Sequence, residues 1–269
     1  MTSKQKNLSY FELKYIELKG ALITFKKRQS SCLCVIMHKP NPLWLKFLND
    51  IHLYDVFVVI DDNEINYTKL YGNEYPNINF IQVDNRTCKK HGFINVNHVI
   101  KKLVTGWEKA LLYFSRINKK YQNVWFMEDD VFINSENTLA NIDSQYPNSD
   151  LLAKKPVQNQ HCLDWTHWKR IKVSFPPPYF KTMVCATRMS KEMLSLINQY
   201  AEHNKTLFFL EALFPTLAKK YSIQYDSPSE MSTITWRRAW TEQEINSSQI
   251  FHPLTDIDSH LYYRAHLSQ

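Results

Sequence analysis

Glycine is scarce in this chain: four residues in 269, Gly20, Gly72, Gly92 and Gly106, against a usual share of about 7%. That shortage excludes whole classes of phosphate-binding device. There is no GxxxxGK[ST] loop and no GxGxxG fingerprint. A nucleotide bound here needs its phosphates neutralised some other way, and a metal ion is the obvious means. Long apolar runs are missing too. No window reaches the roughly 18 apolar residues of a membrane helix, so no membrane span is expected. The first twenty residues, MTSKQKNLSYFELKYIELKG, lack the apolar core and cleavage site of a secretory signal; the expected location is cytoplasmic. The five cysteines, Cys32, Cys34, Cys88, Cys162 and Cys185, contain no CxxC pair, so buried reduced thiols are expected.

A long basic block is also absent. The chain carries 33 Lys and Arg against 26 Asp and Glu, a formal net charge of +7, which suits a polyanionic or phosphate-bearing partner. The basic residues are scattered as short pairs, however, so no nucleic-acid partner is expected.

What is present is an alternation of strand-like and helix-like stretches. SCLCVIM (31–37), YDVFVVIDD (54–62), NINFIQVDN (77–85) and NVWFMEDDVFI (123–133) read as strands. NPLWLKFLNDI (41–51), with Asn41 as cap and Pro42 in the first helical position, reads as a helix. So do residues 99–121, with a break near Gly106, and a segment beginning at Ser135. Further on, 182–201 reads as strand then helix with Ser190 as cap, and 206–221 as a helix containing Pro215. The expected fold is α/β: a Rossmann-type α/β/α sandwich on a mostly parallel sheet. The strands are apolar on both faces, as buried parallel strands are. A main domain over 31–269 is expected, with 1–30 an extension packed on it.

In such sheets ligands bind at the carboxyl ends of strands, and two strands here end in acids. One ends at Asp61 and Asp62, the other at Glu128, Asp129 and Asp130. Three adjacent carboxylates inside an otherwise apolar run cost several kcal/mol unless a positive charge sits among them. Oxygen-rich clusters suit Mg²⁺ or Mn²⁺. A metal so held would neutralise a diphosphate and stabilise it as a leaving group. Side chains alternate in a strand, so Glu128 and Asp130 share one direction and Asp129 takes the other.

WFMEDDVFINSENTL (125–139) resembles the metal-binding segment of nucleotide-sugar-dependent glycosyltransferases of the GT-A fold. Those enzymes carry a DxD-type motif, often EDD or DDD, at the end of a central strand. TGWEKALLYF, FLEALFPTLA and FHPLTD are similar to further stretches of such enzymes, including some from large DNA viruses; a viral chain would work in the host cytoplasm. The resemblance covers roughly 31–260. It implies a hexosyl- or related transferase using a nucleoside-diphosphate sugar donor, a glycan or other hydroxyl acceptor, and Mn²⁺ or Mg²⁺. It implies that Asp130 ligates the metal, that Asp129 or Glu128 contacts the ribose or donor sugar, and that His252 is a late-chain metal ligand. Asp61 or Asp62 would lie near the base or ribose. The shortage of glycine departs from the pattern on the acceptor side.

Glu211 has a physical argument of its own. In a helix over 206–221 its neighbours would be Leu207, Phe208, Phe214 and Pro215, all apolar, and desolvation would raise its pKa toward that of a general base. An inverting transfer with Glu211 activating the acceptor is the expectation. The alternative for this residue is a structural acid paired with a buried arginine such as Arg188. Asp164, beside Trp165 and Trp168, is the second candidate base, and the two tryptophans are candidates for sugar stacking. Lys109 is a candidate phosphate contact. Two other functions fit the composition: an Mg²⁺-dependent nucleotidyltransferase or phosphohydrolase, for which Asp61 and Asp62 would supply further acids, and a non-catalytic nucleic-acid-binding protein using its basic surface.

Overall fold

Strand β1 (Ser31–Met37) sends alternate side chains to opposite faces, and that parity organises the molecule. Cys32, Cys34 and Ile36 enter one apolar cluster, and Leu33, Val35 and Met37 the other. This is the arrangement in a computed structural model of the chain, which describes residues 30–95, 104–170 and 175–267. The extension expected over 1–30 falls, Ser30 aside, outside the described residues, as does the first part of the helix expected from 99.

The sheet has seven strands in the order β3-β2-β1-β4-β8-β5-β9. Strands β2 (Asp55–Ile60), β3 (Ile78–Ile81) and β4 (Asn123–Glu128) run parallel with β1, in the register Cys34↔Phe57 and Cys34↔Phe126. Strand β8 (Ala186–Ser190) lies antiparallel between β4 and the short β5 (Leu151–Leu152), and β9 (Tyr225–Asp226) closes the edge. β6 (Val157–Gln158) and β7 (Phe180–Lys181) form a separate two-stranded ribbon. The molecule is thus an α/β sandwich with a mostly parallel central sheet.

On one face lie the helices Gly106–Leu112, Lys191–Asn204 and Leu210–Lys220; on the other, Pro42–Asn49 and Glu136–Gln145. Local chemistry starts them where expected. Asn41 Oδ1 accepts from Leu43 N at 2.9 Å ahead of Pro42, and Ser190 Oγ accepts from Met193 N at 3.1 Å. Each apolar side chain buried between sheet and helix contributes about 1.5–3 kcal/mol.

Two helices depart from the sequence reading. Among the described residues a helix begins at Gly106, where the sequence reading placed a break. Thr105 caps the helix, and Glu108 reaches back to Thr105 N at 2.7 Å, the reciprocal pattern of a capping box. The helix expected over 206–221 starts at Leu210, so Leu207 and Phe208 precede it and are not helical neighbours of Glu211. Pro215 lies inside that helix and has no N–H to offer the carbonyl four residues back. That carbonyl belongs to Glu211, and it accepts instead from Thr182 N at 2.9 Å. The proline thereby ties the chain just past β7 to the first turn of the helix.

Candidate active and metal site

Strand β4 ends at Glu128 and the chain turns, Val131 N donating to Glu128 O at 3.2 Å. The next residues pair with a segment more than a hundred positions later. Phe132 and Phe251 exchange hydrogen bonds of 2.8 and 3.0 Å, and Leu254 N donates to Asp130 O at 2.7 Å. This pairing brings His252 to the acids. Its Nε2 lies 3.4 Å from Asp130 Oδ2. Its Nδ1 lies 2.7 Å from Thr235 O, which holds the ring with Nδ1 as donor and directs Nε2 at the cluster. Burial pushes His252 down, but the hydrogen bond and charge of Asp130 outweigh it and raise its pKa.

Glu128 points to the face that carries Trp107. The indole Nε1 donates to Glu128 Oε1 at 2.6 Å, and Glu128 N donates to Cys185 O at 2.9 Å. One ligand atom each from Glu128, Cys185 and His252 all fall within 4.8 Å of one another. Burial, above all, raises the pKa of Glu128, and the charge of Asp130 adds to it. Asp130 Oδ1 is buried with no hydrogen-bond partner. A carboxylate oxygen buried without a donor is costly, and a cation placed among these four side chains relieves it. The donor set therefore fits a divalent metal ion.

Glu211 faces the same cluster. Its carboxyl is pushed up to about 7, first by burial, with Lys181 and His252 pulling down and Glu128 pushing up. Of the apolar neighbours argued for it from helical spacing, Phe214 and Pro215 lie in its helix and are buried, while Leu207 and Phe208 come before the helix. Arg188 is not its partner. That guanidinium pairs with Asp143 at 2.6 Å.

The other sequence candidates fall elsewhere. Asp129 is exposed at the turn. Asp61 pairs with Lys109, Nζ to Oδ1 at 3.2 Å, and the same ammonium donates to the Asp61 carbonyl. Lys109 is fully buried, so the reading of it as a phosphate contact is corrected: its charge is spent on holding Asp61. Asp62 accepts from Tyr67 OH at 2.7 Å and from Glu64 N at 3.0 Å. Its pKa is lowered: burial works upward, but the Tyr67 hydrogen bond and the others outweigh it. Asp164 is exposed, and among the described residues no hydrogen bond or ion pair ties it to the cluster. Trp165 and Trp168 pack edge to face at 4.5 Å, and His167 stacks on Phe209 at 4.5 Å, immediately before the helix of Glu211. Cys185 entered the sequence reading only as a buried reduced thiol, which it is, and not as a site residue. Its one signal is its place ahead of β8, and only the antiparallel pairing with β4 makes that meaningful.

No protein-family model matches the chain, and no curated protein matches it. Among solved structures, the galactosyltransferase LgtC in complex with donor and acceptor sugar analogs is similar over 88% of this chain and 96% of its own, with 10% identity and a TM-score of 0.47. The 4-diphosphocytidyl-2C-methyl-D-erythritol synthase of Anaerococcus prevotii is similar over 90% and 97%, with 10% identity and a TM-score of 0.45. Mouse xyloside xylosyltransferase 1 is similar over 74% and 85%, with 13% identity and a TM-score of 0.40. Likeness at this level carries no functional argument, which has to come from the site. No helix among the described residues is long and apolar enough to cross a membrane.

Proposed function

We propose that the chain is a metal-dependent glycosyltransferase of the GT-A type, moving a hexosyl or related sugar from a nucleoside-diphosphate donor to an acceptor hydroxyl with inversion. One observation carries the reading. Four groups from three separated segments, Glu128 with Asp130, then Glu211, then His252, converge at the carboxyl ends of the parallel strands, and an oxygen of Asp130 is left without a donor. The resemblance of WFMEDDVFINSENTL to a DxD segment supports it.

Asp130, Glu128 and His252 are the residues that would hold the ion. Bound there, a divalent metal supplies charge that offsets the diphosphate of the departing nucleotide. Glu211 takes the proton of the acceptor hydroxyl. A carboxyl near pKa 7 is well matched to that task, since it is ionised at working pH yet basic enough to accept the proton. The half-buried aromatic group Trp165, His167 and Phe209, next to the first turn of the Glu211 helix, would offer an apolar edge to an acceptor sugar ring.

Thermal unfolding against a panel of nucleotide sugars, with and without Mn²⁺, tests the reading. A ligand that binds only the folded chain raises Tm. The expected outcome is a metal-dependent rise for one nucleotide sugar, lost in Asp130→Ala. Glu211→Gln is expected to keep that rise while transfer falls by about 10²–10⁴-fold, the usual worth of a general base. Near-full transfer by Glu211→Gln sinks the base assignment. Stabilisation by a nucleoside triphosphate with pyrophosphate release would point to nucleotidyl transfer instead.

A further inference from the structure

The groups that meet around Glu128 are not the all-oxygen set that hard cations take. Mg²⁺ favours oxygen donors in octahedral geometry and keeps several waters. Here an imidazole nitrogen and a sulfur stand with the carboxylates, and the ligand atoms of Glu128, Cys185 and His252 lie within 4.8 Å of one another. It is the one group of three or more potential metal ligands among the described residues, and Cys185 is half of what makes it soft.

The surroundings of the group prepare each donor. Trp107 Nε1 donates to Glu128 Oε1 at 2.6 Å and holds the carboxylate in place. Thr235 O engages His252 Nδ1 at 2.7 Å and leaves Nε2. Such outer partners fix the orientation of metal ligands. The backbone of Cys185 is fixed by the hydrogen bond from Glu128 N at 2.9 Å. None of the other four cysteines has this setting. Cys32, Cys34 and Cys88 are buried in the apolar cluster on the helix-106 face, and Cys162 is partly exposed.

We propose that Cys185 is a thiolate ligand of the metal site and tunes it toward a borderline divalent ion of the Zn²⁺ and Co²⁺ class over Mg²⁺. The proposal rests on reading this cluster as a metal centre and deepens the proposed function by naming the ion class. Binding forms a metal–sulfur bond and releases the thiol proton to solvent, with no change of oxidation state.

Cobalt reports the ligand directly. Titrating Co²⁺ into the metal-free full chain is expected to give visible ligand-field bands together with a near-ultraviolet sulfur-to-cobalt charge-transfer band, saturating at one equivalent. Zn²⁺ should bleach both, and excess Mg²⁺ should not. Cys185→Ser should lose the charge-transfer band and weaken Co²⁺ binding by about 10-fold or more, whereas Cys162→Ser should retain both. Should Cys185→Ser fail to fold, X-ray absorption on the Zn²⁺-loaded wild type decides the matter: a sulfur scatterer at about 2.3 Å is expected beside nitrogen and oxygen at about 2.0–2.1 Å. Cobalt bound without the charge-transfer band, nitrogen and oxygen scatterers alone, or no Co²⁺ binding each overturns the proposal. In the first two cases a Mn²⁺-dependent Tm rise with a nucleotide sugar leaves the transferase reading standing. A sulfur-ligated metal with no nucleotide-sugar stabilisation has the opposite meaning: the metal site holds and the transferase reading falls.

Discussion

Glu108 is a carboxyl sealed from water, with Oε2 accepting from both the backbone N and the hydroxyl of Thr105 at 2.7 Å. Burial raises its pKa from 4.5 to about 7, against the downward pull of those hydrogen bonds. The unfolded chain ionises this group near 4.5, while the folded chain holds it protonated up to about 7. The stability tied to the protonated form is therefore complete below about pH 4.5 and disappears as pH rises through about 7. Holding it ionised costs on the order of 3 kcal/mol. Glu108→Gln copies the acid form at every pH. Urea unfolding at pH 5 and pH 8 should show the variant gaining on wild type by up to about 3 kcal/mol between the two, and parallel behaviour would contradict the assignment. At this scale the sequence showed charge but not surroundings. The acids at the end of β4 and Glu211 stood out because polar groups beside apolar runs are conspicuous, whereas His252 entered only through the resemblance. Lys109 read as a free cation because nothing local announces that Asp61, 48 positions earlier, will meet it in the interior. Cys185 stayed silent because its neighbour is supplied by strand pairing, not by spacing.

Between elements, the approach of the Gly106–Leu112 helix to β1 and β2 sets the distance from Trp107 to Glu128 and from Lys109 to Asp61. It depends on Gly106 having no side chain. A Cβ there would stand 2.6 Å from Ile36 Cγ2 and 3.8 Å from Asp61 Cβ. Gly106→Ala gains up to about 1 kcal/mol in helix propensity, but overpacking a filled core costs about 1–3 kcal/mol. The clash should win, with net destabilisation of about 1–2 kcal/mol by denaturant unfolding. The cause is separable. Ile36→Val keeps the offending methyl and should add its own cost to that of Gly106→Ala. Ile36→Ala removes the methyl, so the double variant should be less damaged than the sum of the singles; strict additivity there would refute the clash. The elements themselves were largely legible, because caps such as Asn41, Ser135 and Ser190 and the apolar runs of β1, β2 and β4 act locally. The start of the Leu210–Lys220 helix was not. Leu207 and Phe208 share the apolar pattern of the helix, yet Leu207 N is taken by Ile94 O at 2.8 Å, a long-range partner that the periodicity does not show.

Across the whole molecule, scaffold and chemistry sit in different places on one sheet. The acids, Cys185 and His252 gather at the carboxyl edge of the parallel strands, while a buried ion pair ties the opposite part of the fold. Arg188, 1% exposed, donates to Asp143 Oδ1 at 2.6 Å and to the carbonyls of Tyr146 and Ser149 at 2.6 and 2.9 Å. Asp143 also accepts from Tyr54 OH at 2.8 Å and Trp125 Nε1 at 3.1 Å. One guanidinium thus joins β8 to the helix Glu136–Gln145 and the turn after it, and through Asp143 to β4. Breaking a buried pair by removing one partner costs about 3–5 kcal/mol, because the other charge and the orphaned carbonyls stay behind. Arg188→Met should lose about that much in urea unfolding. Arg188→Met with Asp143→Leu should recover part of it, since an apolar pair leaves no unpaired charge. The site should be indifferent as long as the chain is folded. At low temperature and without denaturant, the Co²⁺ affinity of Arg188→Met should match wild type within about twofold. If that affinity fell in step with stability, the pair on β8 would be positioning Cys185, three residues upstream on the same chain, and scaffold and site would be a single unit.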